Sequence, residues 1–446
     1  MHANINLIDL IINNLRKIIA TLLAILFFLP ALSAQEKRDS VIVSLITCWP
    51  GPEIYELCGH EALRVQDGKN DLVYNYGTFD FTAPNFVYRF LKGETDYMLS
   101  RYPFAWFMPE YVETGRKVVE QRLNLTQAEA RKLAALLQKQ ALPENATYRY
   151  NYVLDNCATR IVDDIDRCAG ETVVWPDSVK YGSFRREMRQ YHRDYPWYQF
   201  GIDLCLGSGI DIPIRAREEM FVPLEMMEKA AGAHFADGRP LVSETIVLNE
   251  GVADATLGPT PWWQTPLFTC WLAAAALLIA CAGMVVKKRI FPALFSIWFG
   301  ILGIVGLLIA FLVFVSSHYA TSPNMLLLWL NPLQLIIAAG VWWKSWRLPV
   351  RAMIYCDIVA VGVLAIVWPF QAQSANPAFF PLMWATLALA ICYAIIPPKG
   401  SYNIEKKKEN RRHNEKISDL GDRRSGNTRR GGGSRSASSP RGGNRR

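Results

Sequence analysis

Histidine is rare in this chain. Six occur among 446 residues, and only His60, His192 and His234 fall in the globular stretch between the first apolar run and the later ones. Imidazole is the side chain that most readily exchanges a proton near neutral pH. The contexts of His192 and His234 are typical of surface or loop positions. His60 is therefore the first candidate for proton-transfer chemistry in this region.

Net positive charge is absent from the first 400 residues. Residues 401–446 carry four Lys, ten Arg and five acidic residues, a balance of +9, whereas the whole chain has +8. The folded part thus gives no indication of nucleic-acid binding. The stretch 399–446 is rich in Arg, Gly and Ser, which predicts a disordered cytoplasmic tail. A solvated topology anchor is favoured there over a surface for anionic lipid or RNA.

Charged residues are also scarce between 263 and 398. Each of five apolar runs there approaches the ~20 residues needed to cross a bilayer. We therefore predict an all-α bundle of about five transmembrane helices, too apolar to suggest an ion path. The runs lie near 266–286, 291–315, 325–343, 352–370 and 379–397.

The connections between these runs indicate the orientation. Lys and Arg cluster in 287–289 and 344–351, whereas 316–324 and 371–376 contain neither. Positive loops stay in the cytoplasm, so the segment before the first span is predicted to lie outside the cytoplasmic (inner) membrane.

The N-terminal segment 1–34 leads to the same orientation. A basic pair, Arg16 and Lys17, precedes the short apolar run 18–29, and the small residues of 32–34 form a cleavage site. This pattern is typical of a secretory signal peptide, with an uncleaved signal anchor as the alternative. No cysteine follows the apolar run directly, so we do not expect the chain to be a lipoprotein.

Cysteine usage leaves the redox pattern open. Five of the nine cysteines fall in the predicted outer domain, namely Cys48, Cys58, Cys157, Cys168 and Cys205. Five thiols cannot all pair within one chain, so at least one stays free. Pairing among Cys48, Cys58, Cys168 and Cys205 is undecided.

Residues 35–262 have the pattern of a mixed α+β domain. The β-branched run 41–47 predicts a strand, and 62–65 and 72–76 flank the hairpin turn 67–70. Helical periodicity covers 126–142, with Thr126 and Glu129 as a capping box. Residues 148–154 look extended, and 158–168 look helical.

Cys157 is the candidate nucleophile. It follows an extended segment and opens a predicted helix, where the free N–H groups lower a thiol pKa and stabilise an oxyanion. A thiol nucleophile also needs a base and a group that orients the base. His60 supplies the base, and in an antiparallel hairpin Asn75 can face its imidazole.

Two other interpretations compete with this one. In the first, Cys157 is a small buried hydrophobe and His60 an ordinary turn residue, and composition alone does not decide between this and the catalytic interpretation. Cys48, Cys58 and His60 also raise a metal site, but their spacing is poor for zinc. We expect no metal and no cofactor.

Several motifs occur in one order along the chain and resemble the Lnb N-terminal periplasmic domain. Followed by several spans, they are similar to the Lnb-type lipoprotein N-acyltransferases over nearly the whole chain except the tail. The motifs are 47–51 (TCWPG), 59–65 (GHEALRV), 74–81 (YNYGTFDF), 84–86 (PNF), 155–160 (DNCATR) and 218–223 (EEMFVP).

The order His, Asn, Cys also resembles the circularly permuted papain-like enzymes of the NlpC/P60 and lecithin–retinol acyltransferase group. This likeness implies an α+β permuted papain-like periplasmic domain in which His60 is the base, Asn75 its orienter and Cys157 the nucleophile. Weaker candidates for substrate contact are Cys48, Tyr76, Asn156, Arg160 and His318.

The resemblance implies transfer of an acyl chain from a membrane phospholipid, through a Cys thioester, to the α-amine of a diacylated apolipoprotein. The alternatives are a cell-wall thiol amidase or peptidase acting through the same residues, an intramolecular lipoprotein transacylase, and a non-enzymatic membrane scaffold or receptor. Five spans are hard to explain for a cell-wall amidase, since a soluble domain would suffice.

Overall fold

The computed structural model describes residues 14–15, 17–21, 40–80, 82–170, 172–252 and 258–396. The predicted signal segment 1–34 lies mostly outside these ranges, and the predicted tail 399–446 lies entirely outside them. Everything below concerns the described residues.

Seven antiparallel strands form one sheet in the order β6-β4-β3-β2-β1-β5-β9, and β7 pairs with β8 in a small second sheet. The strands are β1 Ile42–Cys48, β2 His60–Gln66, β3 Asp71–Thr78, β4 Asp96–Pro103, β5 Val118–Leu123, β6 Thr147–Arg149, β7 Val173–Val174, β8 His234–Phe235 and β9 Val242–Asn249.

The predicted first strand and hairpin are confirmed. β1 pairs with β2 and β2 with β3, and the intervening turn is closed by Asp67, whose carboxylate accepts from the backbone N–H groups of Lys69 and Asn70. The predicted extended segment 148–154 is only partly a strand. Only Thr147–Arg149 is a strand, because the chain then turns through a bridge between Asn151 and Asp155.

In the described part of the outer domain the α-helices are α1 Phe86–Lys92, α2 Phe104–Glu113, α3 Gln127–Gln140, α4 Cys157–Cys168, α5 Phe184–Tyr191, α6 Pro196–Cys205, α7 Ala216–Glu219 and α8 Pro223–Gly232. The predicted capping box is present at α3, where Thr126 accepts from the Glu129 N–H. α3 and α4 pack their buried faces on one side of the sheet, against residues such as Leu45, Leu63 and Tyr74.

The opposite side of the sheet is covered by α2. Ile46, Ala62 and Val73 alternate with the residues of the first face and pack against Phe107 and Tyr111. The central strands are therefore buried on both sides.

Among the described residues, the membrane region has three helices long and apolar enough to span a bilayer, within 266–286, 292–314 and 344–370, and a shorter fourth. Their bounds are α9 Pro266–Val286, α10 Pro292–Phe314, α12 Arg347–Val367 and α13 Phe379–Ile395. The predicted third span, 325–343, is not one helix. It divides into a 3-10 turn, Met325–Leu328, and the short helix α11 Gln334–Gly340.

The interruption of the third span has a physical cause. Pro332 has no N–H to donate, which breaks a helix ladder. The Asp357 carboxylate on α12 accepts from the side chains of Asn331 (3.2 Å) and Gln334 (3.3 Å), and Gln334 also donates to the carbonyl of Trp329 (2.7 Å). A polar side chain inside the bundle thus provides a hydrogen bond to a backbone group that would have bonded within the helix if the helix were regular.

A buried ionic cluster holds the outer domain on the bundle. The Arg185 guanidinium pairs with Asp203 (2.8 Å) and Asp211 (2.9 Å), while Asp203 also accepts from Arg189 (3.0 Å) and from Asn376 of the membrane region (3.1 Å). Because each charge in this cluster has a partner, burial is tolerated. These contacts therefore fix the position of the outer domain on the outer end of the bundle.

Candidate active site

Cys157 lies at the first turn of α4, as the motif predicts. Asn156 is the N-cap, and its side chain accepts from the Thr159 N–H (3.0 Å) while the Thr159 hydroxyl accepts from the Asn156 N–H (2.8 Å). The Asn156 amide also donates to the carbonyl of Phe221 (2.7 Å), which ties the start of the helix to the core. The position of the thiol is therefore set by a rigid cap.

Three backbone N–H groups are directed at the Cys157 sulfur. They belong to Glu61, to Ala158 and to Cys157 itself. Gly77 leaves room beside them, since a Cβ there would lie 3.9 Å from the Cys157 Cβ. Such a set of donors stabilises negative charge on sulfur or on an attached oxygen.

The expectation of a lowered thiol pKa is wrong for the resting site. Cys157 is buried, and desolvation raises its pKa to about 11 despite the surrounding N–H donors. Here the loss of hydration destabilises the thiolate more than the N–H groups of the helix terminus stabilise it. At neutral pH the Cys157 side chain is therefore a neutral thiol.

This pKa predicts slow alkylation. At pH 7, iodoacetamide should modify Cys157 more slowly than an unhindered thiol, and the rate should keep rising as the pH approaches about 11. Site-resolved mass spectrometry across a pH series measures this. A rate that already levels off near pH 7 would show that a thiolate forms more easily than burial allows.

His60 is the first residue of β2, and Gly59 brings the chain to it. Gly59 has φ +78°, and a Cβ there would lie 2.6 Å from the Cys48 carbonyl oxygen, so glycine is required. The imidazole Nε2 lies 2.6 Å from Asn75 Oδ1, and Asn75 Nδ2 donates to the Tyr102 hydroxyl at 2.7 Å. With Oδ1 directed at the ring, Nε2 is the protonated nitrogen and Nδ1 is the free base.

Burial and the charge of Arg116 together lower the pKa of His60 to about 4, although the hydrogen bond to Asn75 opposes this. The imidazole is therefore neutral over most of the working pH range. It can accept a proton from an attacking group, whereas a protonated ring could not.

Of the three predicted residues, the structure joins only His60 and Asn75 by a hydrogen bond, whereas Cys157 packs on the other face of the sheet. His60 and Asn75 lie on the face of the sheet that includes Cys48, which is directly opposite His60 in the register. Glu61 lies on the face that α4 covers, and its N–H reaches Cys157. In the described structure no hydrogen bond joins the imidazole to the thiol. The imidazole of His60 and the thiol of Cys157 lie on opposite sides of the first peptide of β2.

The Glu61 carboxyl is a feature that the sequence reasoning missed. It is fully buried, accepts from the Thr47 hydroxyl at 3.2 Å, and burial raises its pKa well above the ordinary range. Its charge, when present, raises the pKa of Cys157. The signal in the sequence was the alternation of β2, which places Glu61 on the face of the sheet opposite to that of His60.

Tyr76 and Arg160 are held by protein partners. Tyr76 is 1% exposed, and its hydroxyl lies within hydrogen-bond distance of Gln140 and of Asp164 (2.6 Å). The Arg160 guanidinium is partly exposed, pairs with Asp155 at 2.6 Å and lies 3.6 Å from the centre of the Tyr148 ring. Of the two, only Arg160 presents charge to solvent.

All nine cysteines fall within the described ranges and are free thiols. Cys48 is buried, and Cys58 contacts the Tyr152 hydroxyl at 3.2 Å. His318, predicted at the outer mouth of the bundle, bonds to the Phe90 carbonyl of α1 at 2.7 Å. His192, expected near the surface, is instead buried at the end of α5 and bonds to Gln199.

The cap at Cys157 can be tested against a second cap. Asn156→Ala removes the hydrogen bonds that fix the start of α4 and should lower stability by about 1 kcal/mol, together with a severalfold loss of thiol acylation. Thr126→Ala, in the matching box of α3, should cost similar stability without that loss. Thermal melting and acyl-adduct mass spectrometry separate the two effects. Equal acylation in both variants would show that the Asn156 cap does not position the thiol.

The fold is that of a protein with a mixed α and β domain on a helical membrane region, and the domain buries a thiol at the start of a helix. The model of the Lnb N-terminal periplasmic domain matches residues 29–184, and that of the Lnb transmembrane domain matches residues 259–399. The chain therefore belongs to the Lnb-type lipoprotein N-acyltransferase family, a family of acyltransferases in the inner membrane. No curated protein and no solved structure matches it.

Proposed function

We propose that this chain moves an acyl chain from a membrane phospholipid to the α-amine of the lipid-modified N-terminal cysteine of apolipoproteins, with Cys157 as the acyl carrier. The observation that supports this most is the set of three backbone N–H groups around a thiol at the start of a helix, and one of these groups belongs to Glu61, which follows His60 in the chain. The order of His60, Asn75 and Cys157 is also that of the permuted papain-like enzymes.

The first half-reaction loads the enzyme. In this step the Cys157 sulfur attacks an ester carbonyl of the phospholipid, and His60 Nδ1 takes the thiol proton. Because the resting structure has no hydrogen bond between the two groups, substrate binding must first bring the imidazole within reach of the sulfur. The N–H groups of Glu61 and Ala158 stabilise the oxygen of the tetrahedral intermediate. Collapse breaks the C–O bond, His60 returns the proton to the glycerol oxygen, and a lysophospholipid leaves a thioester on Cys157.

The second half-reaction releases the product. The free α-amine of the apolipoprotein attacks the thioester carbonyl, and His60 takes a proton from the attacking nitrogen. The C–S bond breaks, and the sulfur regains the proton from His60. One amide and one lysophospholipid are formed from one amine and one phospholipid, so no oxidant, metal or nucleotide is needed.

The remaining predicted residues support this site in different ways. Asn75 fixes the imidazole, Asn156 fixes the helix start, and Tyr76 and Cys48 brace the two faces of the sheet around it. Arg160, charged and partly exposed, is the residue we assign to the phosphate of a lipid head group. His318 joins the domain to the membrane region.

Reconstitution tests the proposal. The full-length protein is incubated in vesicles of phosphatidylethanolamine and phosphatidylglycerol with a synthetic diacylglyceryl-cysteine peptide, and the peptide is followed by mass spectrometry. One added acyl chain on the amine, with lysophospholipid formed in equal amount, supports the proposal. A peptide whose mass is unchanged while its acyl chain has moved to the amine would identify an intramolecular transacylase. An unmodified peptide, with cleavage of cell-wall peptides instead, would identify the amidase.

A further inference from the structure

The short helix α1 turns apolar side chains away from the protein. None of its residues is buried, and Val87 is 70%, Tyr88 54% and Phe90 46% exposed. A short helix with this much exposed apolar surface is unfavourable in water but is stable at a lipid interface, where aromatic and aliphatic side chains enter the acyl region.

The position of α1 provides that interface. The Ser317 N–H donates to the Lys92 carbonyl at 2.9 Å, and the Tyr88 ring lies 6.1 Å from that of Phe311 in the last turn of α10. Gly93, which ends α1, approaches so closely that a Cβ there would lie 2.6 Å from Ser317 Oγ. α1 therefore lies at the level where the spanning helix α10 reaches the outer membrane surface.

A continuous row of aromatic rings leads inward from α1. Successive ring centroids are 6.2 Å apart from Phe90 to Phe86, 5.8 Å from Phe86 to Phe79, 4.8 Å from Phe79 to Tyr97 and 4.1 Å from Tyr97 to Tyr150. We call these five residues the aromatic row. A cavity of about 190 Å³ lies beside it, lined in part by Phe86 and Met98.

The aromatic row ends beside the nucleophile. Tyr97 belongs to the same buried cluster as Cys157, and Tyr150 packs against that cluster. Burial first, and then the negative charge that Cys157 would carry when ionised, raise the pKa of Tyr150. The row thus joins the outer membrane surface to the one thiol at which the proposed chemistry takes place.

We propose that α1 lies in the outer leaflet and that the aromatic row is the surface along which a lipid acyl chain reaches Cys157. This inference rests on the proposed function, because it assigns the route of that reaction's acyl donor. Aromatic faces suit such a route, since they are apolar and rigid but make no directional bond that would hold a moving chain.

The test compares a lipid donor with a donor that does not need the membrane. Full-length protein is reconstituted in vesicles of palmitoyl-oleoyl phosphatidylethanolamine and phosphatidylglycerol. Acylation of Cys157 by these lipids, and separately by water-soluble p-nitrophenyl acetate, is measured by mass spectrometry. Val87→Glu places a charge on the leaflet face of α1, and Phe86→Ala removes a ring from the row. Val247→Glu is the matched control, because Val247 is 43% exposed on β9 at the far edge of the sheet.

Val87→Glu and Phe86→Ala should each lower the ratio of lipid to p-nitrophenyl acetate acylation by about tenfold, since each removes apolar contact worth on the order of 1–2 kcal/mol to the chain. Val247→Glu should leave the ratio at the wild-type value. Wild-type ratios in Val87→Glu and Phe86→Ala would overturn the route while leaving the proposed function intact. Failure of wild-type protein to acylate Cys157 with either donor would instead overturn both.

Discussion

Cys157→Ala should abolish N-acyl transfer, with a fall on the order of 10⁴-fold or more, because losing the nucleophile of a covalent enzyme costs about 10⁴–10⁶ in rate. Among the described residues, no other cysteine lies at the start of a helix with backbone N–H groups around its sulfur. Alanine also removes one buried sulfur, which costs about 1 kcal/mol of stability or less. The protein should therefore remain folded while activity disappears.

Cys168→Ala is the matched control for this result. Cys168 ends the same helix that Cys157 begins, and it is 2% exposed, so both variants remove a buried sulfur from α4. Peptide acylation and thermal melting are measured for both. Activity retained in Cys157→Ala would show that Cys157 is not the nucleophile. Activity lost equally in Cys168→Ala would show that packing of the helix explains the loss.

His60→Gln should lower the rate of thioester formation by about 10²–10⁴-fold, the usual contribution of a positioned base. Asn75→Ala should lower the same rate by less, about tenfold, since the imidazole loses its orienting partner but is still present as a base. His192→Gln is the control: that imidazole is also buried, and burial also lowers its pKa to about 4. A loss in His192→Gln as large as that in His60→Gln would point to folding.

The pH dependence of acylation also tests whether His60 is the base. His60 accepts a proton only while neutral, and its pKa is lowered to about 4. Single-turnover acylation should therefore persist as the pH falls to about 5 and decline below pH 4, where the ring becomes charged. A decline centred near pH 6.5, the ordinary histidine value, would mean that the base is more exposed to water than the structure has it.

The parts of the fold that follow from local rules could be predicted from the sequence. The turn at 67–70, the capping box of Thr126 and Glu129, and the helix that begins at Cys157 each depend on residues close together in the chain. The His60–Asn75 contact depends only on hairpin register. These are short-range constraints, and the structure confirms them.

The rest depends on burial and on long-range contacts. The helix terminus predicted a reactive thiolate at Cys157, but the desolvation that raises its pKa comes from elements far along the chain. Hydropathy predicted a continuous span over 325–343, whereas the partner that stabilises its interruption, Asp357, lies on another helix. The aromatic row combines residues from four separate segments and has no signature in any one of them.

The central claim is an acyl-thioester on Cys157, and its direct measurement is mass spectrometry of the protein incubated with phospholipid in the absence of acceptor peptide. We predict an acyl adduct confined to the peptide that contains Cys157, removed by neutral hydroxylamine and discharged by the diacylglyceryl-cysteine peptide. Transfer to the acceptor without such an adduct, or an adduct on another residue that turns over at the same rate, would contradict the account.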